Sequence, residues 1–471
     1  MNKESLNVPS REQAIVVGAS MAGMLTARVL AERFENAALV ESDGLPDDAS
    51  PRAGVPQARH LHALLPRGLR ILEDLFPAIK EELLAAGAVK LDVADDVAWL
   101  TPQGWGVRCR SDLEALAFTR DLLDWAVRDR LTQLPNIELI DHCCVQSLVG
   151  DARRVEGVHL RLEHAVVEVC DSMLKADLVV VATGRHAAVP KWLAELGVPR
   201  PEIREVNAHV GYASRILRRP EASCASWRAI FVQAAPPEAR RGGILFPVEG
   251  NRWLVTLQGG DGDYPPSDEA GFLDFAGSLR SRALYDAIKD AEPLTPIASY
   301  RATENRLRHY ERLRPWPECL LVLGDAACAF NPVYGQGMTA AALAAESLRS
   351  RLKQPGSSFD GFAQAFQKEV ARINSAPWML ATSEDLRFRT VEGVKAPWST
   401  KLMHGYVDRV LGLGTQNPRI RRQFLEVQGM VKGPGALFRP SLMARVLLQS
   451  ILGNFHRSRT GNSPLEPAEA S

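Results

Sequence analysis

The chain lacks the features that mark several classes of protein. Seven cysteines are scattered through 471 residues and no two form a C-x-x-C pair, so neither a zinc site nor a redox dithiol is indicated. We expect these thiols to be reduced, as in a cytosolic protein. Lysine plus arginine and aspartate plus glutamate both number 56, and this balance gives no indication of a nucleic-acid partner.

Long apolar runs are also missing. No uncharged stretch approaches the length that spans a bilayer, and the first residues, MNKESLNVPSREQ, contain no apolar core of a secretion signal. We therefore expect a cytoplasmic protein. A chain of 471 residues can bury a large core, and its length indicates two or three domains.

A nucleotide-binding pattern occupies residues 14–41, AIVVGASMAGMLTARVLAERFENAALVE. A short apolar strand leads into Gly18, Ser20 and Gly23, which hold the positions of G-x-G-x-x-G with serine in the middle, and a helical period follows. Glu41 ends the second strand, where a carboxylate accepts a hydrogen bond from a ribose 2′-OH. The motif alone is weak, but with strand, helix and acid in place it favours FAD or NAD over NADP.

A second glycine-rich turn lies near residue 330. The strand CLLVL leads into GDAACAFNPVYGQGM, residues 324–338, and a helix follows. Asp325 can accept hydrogen bonds from a sugar or ribityl hydroxyl, and Gly335 and Gly337 let backbone N–H groups approach a ligand. The positive end of the helix would favour a reduced flavin ring, which carries negative charge. The alternative is an ordinary strand–loop–helix corner.

The two turns together resemble the signature pair of FAD-dependent monooxygenases with the para-hydroxybenzoate-hydroxylase-like fold. A third motif of that family is altered here to ADLVVVATGRHAAV, residues 176–189. Residues 52–65, RAGVPQARHLHALL, resemble the subgroup that contains bacterial polyether epoxidases. The resemblance spans about residues 12–375.

The turns and the resemblance give one set of candidate FAD contacts. They are Gly18, Ser20, Met21, Ala22, Gly23, Glu41, Arg52, Arg120, Gly184, Asp325, Pro332, Gly335, Gly337 and Met338. Arg52 belongs to the loop that passes the cofactor in the resembled fold. Arg120 has an alternative role, an ion pair with Asp124 one helical turn later.

The order of elements predicts a mixed α/β fold. We expect a Rossmann-like FAD-binding domain at residues 1–198 and 301–375, an inserted antiparallel-sheet substrate domain at residues 199–300, and a helical region at residues 376–471. The apolar strand at residues 176–183 should be central and parallel, because it cannot alternate faces. Helices are predicted at residues 359–373 and again at 378–390.

A substrate pocket is expected between the two domains. Its candidate lining residues are His62, Tyr212, Phe231, Phe246 and Trp253. Aromatic residues on the inner face of a sheet suit an apolar pocket, although packing in the core is their more common role. His60 and His62 alternate along the chain, so we expect only one of them to face inward, and capping of the next helix is an equal alternative.

The resemblance also implies a chemistry. Reduced FAD reacts with O2 to give a C4a-hydroperoxide, whose terminal oxygen passes to a hydrophobic alkene or aromatic substrate, as in the secondary metabolism of bacteria. Because the cofactor carries this reaction, no catalytic side chain and no metal ligand is assigned. The electron donor is NADPH or NADH docking transiently, or reduced flavin from a separate reductase.

Other functions remain open. A saturating reductase of the geranylgeranyl-reductase type shares the fold, and so does a flavin-dependent halogenase, although its W-x-W-x-I-P stretch is absent from the sequence. A flavoprotein retained as a binding component is a third alternative. Residues 437–452 are apolar with two arginines and suit a membrane surface or a homodimer interface, but we expect them to pack on their own protein.

Overall fold

The structure is a computed structural model that describes residues 11–162, 171–220, 226–354 and 359–451. Residues 1–10 and 452–471 of the predicted first domain and helical region lie outside this part of the chain, as do Cys170 and Cys224.

The strands fall into a parallel sheet, a large mixed sheet and three small sheets. In chain order they are β1 (Arg11–Val17), β2 (Phe34–Val40), β3 (Val89–Asp92), β4 (Val97–Thr101), β5 (Gly104–Trp105), β6 (Glu114–Ala117), β7 (Ile137–Ile140), β8 (Cys143–Gly150), β9 (Val155–Leu162), β10 (Asp171–Lys175), β11 (Leu178–Val181), β12 (Ile203–Val206), β13 (Gly211–Arg218), β14 (Ala229–Val232), β15 (Arg241–Val248), β16 (Arg252–Gly259), β17 (Ala298–Tyr300), β18 (Asn305–Arg308), β19 (Leu320–Val322) and β20 (Cys328–Ala329).

The helices cover the sheets and form most of the C-terminal region. They are α1 (Met21–Leu30), α2 (Pro66–Leu75), α3 (Ile79–Ala85), α4 (Arg120–Thr132), α5 (Val189–Glu195), α6 (Glu269–Gly277), α7 (Ala283–Ile288), α8 (Gly337–Leu352), α9 (Phe362–Asp385), α10 (Trp398–Leu413), α11 (Pro418–Gln428) and α12 (Pro440–Ile451). Short 3-10 turns include Pro56–Arg59 and Pro332–Tyr334.

The parallel sheet has the strand order β19-β11-β1-β2-β7. Val179 in β11 pairs with Ile15 in β1 and with Leu320 in β19, and all four residues of β11 are buried. The prediction of a central parallel strand is therefore confirmed. Because parallel strands end at the same edge of a sheet, the turns that follow β1 and β19 lie together, and a Cβ added to Gly324 would lie 2.8 Å from the Cβ of Ala22.

The large sheet has the order β17-β13-β16-β15-β14-β4-β5. Most neighbours are antiparallel, but β4 runs parallel to β14, with Val97 beside Ala229. The sheet thus takes two strands from residues 97–105 in addition to those between 211 and 300. One face of this sheet is covered by α6 and α7.

Helix α9 is a single element of 24 residues that continues through Pro377, so the prediction of two separate helices at residues 359–373 and 378–390 is wrong. Proline removes one backbone hydrogen bond from a helix. Here Pro377 and Ala381 are buried on one side of the helix, and this packing holds the element together. The helix therefore places its last residue, Asp385, inside the protein.

Candidate active site

One cavity of about 850 Å³ lies between the carboxyl edge of the parallel sheet and the inner face of the large sheet. Its lining includes most of the predicted cofactor contacts: Gly18, Ser20, Met21, Ala22, Glu41, Arg52, Arg120, Gly184, Asp325, Pro332, Gly335, Gly337 and Met338. Gly23 does not line the cavity; instead it allows helix α1 to pack closely against the Gly18 turn.

The first turn requires glycine at two positions for different reasons. Gly18 has φ +102°, and a Cβ there would lie 2.7 Å from the carbonyl oxygen of Ala182. Gly23 lies in the first turn of α1 and packs against the backbone of Gly18. A Cβ on Gly23 would lie 1.7 Å from the Gly18 carbonyl oxygen. Side chains at either position would separate α1 from the sheet.

Serine in the middle position of the motif has a specific partner. The Ser20 hydroxyl accepts a hydrogen bond from Arg120 Nη2 at 2.9 Å, while Arg120 Nε donates to Asp124 Oδ1 at 2.7 Å. Arg120 is 5% exposed, and it both pairs with Asp124 and lines the cavity; its contact with FAD stays a prediction. Its charge lies beside the N-terminus of α1, whose first N–H groups have no partner within the helix.

Glu41 and Arg52 lie at the same end of the cavity. Glu41 Oε2 accepts the Ala19 N–H at 2.7 Å, and Oε1 accepts the Ser42 N–H at 2.8 Å. Arg52 Nη1 lies 3.7 Å from Glu41 Oε2 and donates to the Ala19 carbonyl at 3.2 Å. The buried Arg52 Nε has no partner among the described residues, and this leaves a donor for an anionic or hydroxyl-bearing ligand.

Asp325 presents an unsatisfied carboxylate to the cavity. It is the second residue of the turn after β19, and within the described chain no donor lies within hydrogen-bond distance of its carboxylate oxygens. Burial raises the pKa of Asp325, while Arg185, Arg120 and Arg308 lower it. Asp325 is half-buried and its carboxylate faces the cavity, so this position fits a ligand hydroxyl.

The loop that carries Pro332 is held from behind by a buried carboxylate. Asp385 Oδ1 accepts hydrogen bonds from Tyr334 Oη and Asn331 Nδ2, each at 3.0 Å. Asp385 Oδ2 accepts from Asn305 Nδ2 at 2.6 Å. Burial raises the pKa of Asp385 to about 7, although these three hydrogen bonds lower it. Helix α9 thus reaches the cavity through the Pro332 loop.

Asn331 joins this carboxylate to the large sheet. Its Oδ1 accepts from the Tyr212 hydroxyl at 2.6 Å and from the Val333 N–H at 3.3 Å. Its backbone N–H donates to Asn305 Oδ1 at 2.8 Å. With the bond from Nδ2 to Asp385, the side-chain amide is held from two directions, and the turn before Gly335 is fixed between α9 and β13.

The inner face of the large sheet forms the other half of the cavity. Strand register places Trp99 beside Phe231, and Phe231 beside Ile244. The same row continues to Thr256 and Ser214, whose hydroxyl oxygens lie 2.7 Å apart. The roof is therefore aromatic at one end, where the Trp99 and Phe231 rings lie 5.1 Å apart, and hydroxyl-bearing at the other.

Four of the five predicted pocket residues line the cavity: His62, Tyr212, Phe231 and Phe246. The prediction for Trp253 is wrong. Side chains alternate along a strand, so Trp253 and Val255 of β16 point away from the face that carries Thr256 and Gln258. Trp253 is 3% exposed and packs against Trp227 in the core beneath α6 and α7, with ring centroids 6.3 Å apart.

Both His60 and His62 line the cavity, so the expectation that only one faces inward is wrong. They lie in an irregular segment after a 3-10 turn, where strand alternation does not apply. Burial lowers the pKa of His60 to about 4 and that of His62 to about 3, so both are neutral near neutral pH. His62 Nδ1 lies 3.0 Å from the His60 carbonyl oxygen, which can only accept; Nδ1 therefore carries the hydrogen and Nε2 is an acceptor.

A wall of the cavity comes from the C-terminal helices, which the sequence analysis did not connect with the site. Its residues are Leu425, Gln428 and Gly429, at the end of α11. One turn earlier, the Arg421 guanidinium lies 4.9 Å from the Trp99 ring centroid. Arg421 is 3% exposed, and burial lowers its pKa to about 10. Gly106 makes room for it, since a Cβ there would lie 2.5 Å from Arg421 Cζ.

Sequence reasoning missed further cavity residues. Cys143, Cys144 and Val145 line it at the start of β8, and Trp99 lines it from β4. Side chains alternate along the strand VAWLT of β4, and this alternation makes Trp99 a candidate for the cavity once β4 is assigned to the large sheet. No local pattern marks Asp385, because its partners lie 51 to 80 residues away in the chain.

Comparison with known proteins identifies the family of the chain. Residues 11–355 match the protein family described as FAD binding domain. The chain is 30% identical over 422 residues to Protein Rv3254 of Mycobacterium tuberculosis, a match that covers 88% of this chain and 89% of that protein.

Solved structures share the fold at low identity. The flavin-dependent brominase Bmp2 superposes with a TM-score of 0.65 at 13% identity, covering 93% of this chain and 98% of that one. The p-nitrophenol 4-monooxygenase PnpA of Pseudomonas putida superposes with a TM-score of 0.62 at 17% identity, covering 89% and 97%.

Proposed function

The chain belongs to the FAD binding domain family of flavin-dependent monooxygenases, and from that premise we propose that it inserts one atom of O2 into a hydrophobic alkene or aromatic molecule. The observation that carries the proposal is one continuous cavity, which joins the two glycine turns to a chamber roofed by Trp99, Phe231 and Phe246. A cofactor held by the turns would extend to the chamber.

The residues present fit FAD along the length of this cavity. Glu41 and the Gly18 turn suit the adenosine ribose and the pyrophosphate, and Arg52 and Arg120 offset the phosphate charge. The unsatisfied Asp325 carboxylate suits a ribityl hydroxyl. The N-terminus of α8, which begins at Gly337, suits the edge of the flavin ring that becomes negative on reduction.

Bound FAD, once reduced, supplies an electrophilic oxygen by reaction with O2. The protein's share is to hold the ring, to orient the substrate and to exclude water. The network of Asp385 and Asn331 fixes the Pro332 loop, which would lie beside the ring, and the aromatic end of the roof would receive the apolar body of the substrate. No side chain is required to form a covalent bond.

The two neutral histidines favour the alkene over the phenol as substrate. Hydroxylation of a phenol is helped by a base whose pKa lies near the working pH. With pKa values of about 4 and about 3, His60 and His62 are weak bases. Epoxidation needs none, and residues 52–65 also resemble the epoxidase subgroup. We therefore propose the epoxidase first and the hydroxylase second.

The experiment starts with the absorbance spectrum of the purified protein, which should show bound flavin. Oxidation of NADPH and of NADH, and O2 uptake, are then followed as hydrophobic alkenes and phenols are added, with a parallel series supplied by a separate flavin reductase. With isotope-labelled O2, the product should gain one labelled oxygen atom. Absence of O2 uptake with every reductant and substrate would contradict the proposal.

Two variants connect the assay with the site. Asp325→Ala should lose flavin, because the ribityl acceptor is gone, whereas Asp129→Ala on the exposed side of α4 should keep it. Full flavin occupancy in Asp325→Ala would remove the cofactor assignment. Turnover that persists without O2 would instead identify a reductase, and a halide-dependent product would identify a halogenase.

A further inference from the structure

The C-terminal helices expose an unusual number of apolar side chains. The described chain exposes ten large hydrophobic residues, and seven of them lie between residues 398 and 448: Trp398, Leu402, Met403, Phe438, Met443, Leu447 and Leu448. Trp398 is 77% exposed and Leu402 is 65% exposed. We call these seven residues the C-terminal apolar face; they belong to α10, to α12, which contacts α10, and to the turn before α12.

Helix α12 is apolar on two sides, and its own protein covers only one. Leu442 and Val446, one turn apart, are buried in a small core that also contains Val410 of α10. Met443 and Leu447, also one turn apart, are 41% and 60% exposed. A helix that packs only against its own domain carries polar residues on its outer side. The second apolar side therefore requires another environment.

The C-terminal region carries an excess of positive charge. Residues 394–451 contain nine lysines and arginines but two acidic residues, a net charge of +7, whereas the whole chain has 56 of each sign. Both acids already have partners: Asp408 lies 3.0 Å from Arg387, and Glu426 lies 2.6 Å from Lys432.

The bases beside the apolar face lack such partners. Lys395, Lys401, Arg439 and Arg445 are exposed and form no ion pair within the described residues. In the sequence Arg439 follows Phe438, and Arg445 lies two residues from both Met443 and Leu447. Apolar and basic side chains are thus interleaved on the same helices, which is the composition of segments that lie in a membrane interface.

We propose that the C-terminal apolar face docks on the surface of an anionic lipid bilayer. The apolar side chains would enter the boundary between headgroups and acyl chains, and the four unpaired bases would contact acidic headgroups. None of the helices in the described part of the chain has the length and hydropathy needed to cross a bilayer, so the contact is peripheral. A second copy of the chain is a poorer occupant, because two faces of the same positive charge repel each other.

Docking there would bring the bilayer close to the active-site chamber. Helix α10 packs against α11, whose Leu425, Gln428 and Gly429 line the cavity. Helix α11 thus contacts a helix of the apolar face and also lines the chamber, so an apolar substrate dissolved in the bilayer would be held on the side of the protein that carries this wall. This consequence rests on the proposed function, but the docking itself does not.

The test uses the full-length flavoprotein and large vesicles in a sedimentation assay. Vesicles of phosphatidylcholine alone are compared with vesicles of equal parts phosphatidylcholine and phosphatidylglycerol. We expect binding to the second kind only, and weaker binding at high salt. Arg439→Gln with Arg445→Gln should weaken binding roughly 30-fold, since each base near an anionic surface contributes about 1 kcal/mol.

The apolar contribution is tested separately. Leu447→Ser with Leu448→Ser should weaken binding about tenfold or more. Matched controls change exposed apolar residues and arginines elsewhere: Met173→Ser with Ile203→Ser, at 50% and 47% exposure, and Arg200→Gln with Arg204→Gln. Both controls should bind as the parent does. All four variants should unfold at the parent's denaturant midpoint, which separates docking from folding.

Several results would overturn the proposal. Absence of binding to anionic vesicles is one, and equal binding to both kinds of vesicle is another. Equal losses in the control variants would show that the effect is not specific to the face. A dimer in light scattering that Leu447→Ser with Leu448→Ser abolishes, without vesicle binding by the parent, would assign the face to self-association. Because none of these readouts uses turnover, they stand apart from the test of the proposed function.

Discussion

The cavity has two halves that the chain builds in different ways. The cofactor half is built around two short turns, each contained in about 15 consecutive residues, at the ends of strands β1 and β19, and Glu41, Arg52 and Arg120 join them from other segments. The substrate half consists of single side chains contributed by β4, β13, β14, β15 and β16 and by α11. In the first half the backbone turns form the centre of the site, whereas in the second the site depends on which face each strand turns inward.

The largest expected effect comes from breaking the backbone half. Gly18→Val should abolish flavin binding, because a Cβ would lie 2.7 Å from the Ala182 carbonyl oxygen and the residue has φ +102°. Flavin occupancy after gel filtration, read from the visible spectrum, should fall at least tenfold, about 1.4 kcal/mol or more. The control is Gly262→Val, which has φ +79° and no atom within 4 Å of its Cβ position; it should keep its flavin. Equal occupancy in the two variants would show that the Gly18 turn does not hold the cofactor.

A second pair of variants separates the two faces of the large sheet. Trp253→Ala should lower the free energy of unfolding by about 3–5 kcal/mol, because it opens a void in the core, and should leave the substrate KM unchanged. Phe246→Ala should raise KM and cost less stability, because its ring lies against the cavity. Urea unfolding and steady-state kinetics of both variants measure the difference. A change of KM in Trp253→Ala with unaltered stability would reverse the assignment of faces.

A third prediction concerns the carboxylate between the halves. Burial raises the pKa of Asp385 to about 7, above the value of about 4 expected in the unfolded chain. A raised pKa in the folded state means that the stability from this group is fully present below about pH 4 and is lost as the pH rises through about 7. The free energy of unfolding should therefore fall between about pH 4 and about pH 8, by roughly 4 kcal/mol at most.

The variant Asp385→Asn should remove this pH dependence. It should also be less stable than the parent at low pH by about 1–3 kcal/mol, because its amide hydrogens would face the donors of Asn305 or Asn331. Asp286→Asn, which changes an exposed aspartate of α7, is the control and should keep the parent's pH dependence. Urea unfolding at several pH values gives both results, and an unchanged slope in Asp385→Asn would show that another group is responsible.

The smallest effect is expected from the histidines of the chamber. Because the pKa values of His60 and His62 are about 4 and about 3, neither should titrate between about pH 5 and about pH 8. His62→Gln should therefore leave the shape of the kcat/KM profile unchanged and lower its height by less than about tenfold. Loss of an inflection near pH 6 in this variant would show that His62 carries a proton during turnover.

The difference between the halves also determines which parts of the site can be predicted from the sequence. The Gly18 and Asp325 turns are recognisable because glycine, proline and acid are needed at fixed spacings within one segment. The central position of β11 is recognisable because all its residues are apolar. Trp253 was assigned to the pocket because alternation predicts two faces but does not identify which one is inward; that depends on α6 and α7, whose packing follows from the whole fold.

The remaining part of the site depends on contacts distant in the chain. Asp385 is a polar residue in a helical stretch, and only its contacts with Asn305, Asn331 and Tyr334 give it a role. Arg421 is similar, because its stacking on Trp99 joins residues more than three hundred positions apart. Such pairs have no local signature, and single-sequence reasoning finds the elements that carry them but not the pairing.

The separation of the two glycine turns has a consequence for synthesis. The ribosome delivers Gly18 about three hundred residues before Asp325, an interval of roughly 15–60 s at ordinary elongation rates. Throughout that interval the nascent chain holds the first turn without the second, and the sheet lacks β19, the outer neighbour of β11. The protein can therefore bind flavin only late in its synthesis. In cells starved of flavin, we expect the chain to be synthesised at the normal rate but to accumulate to a lower level.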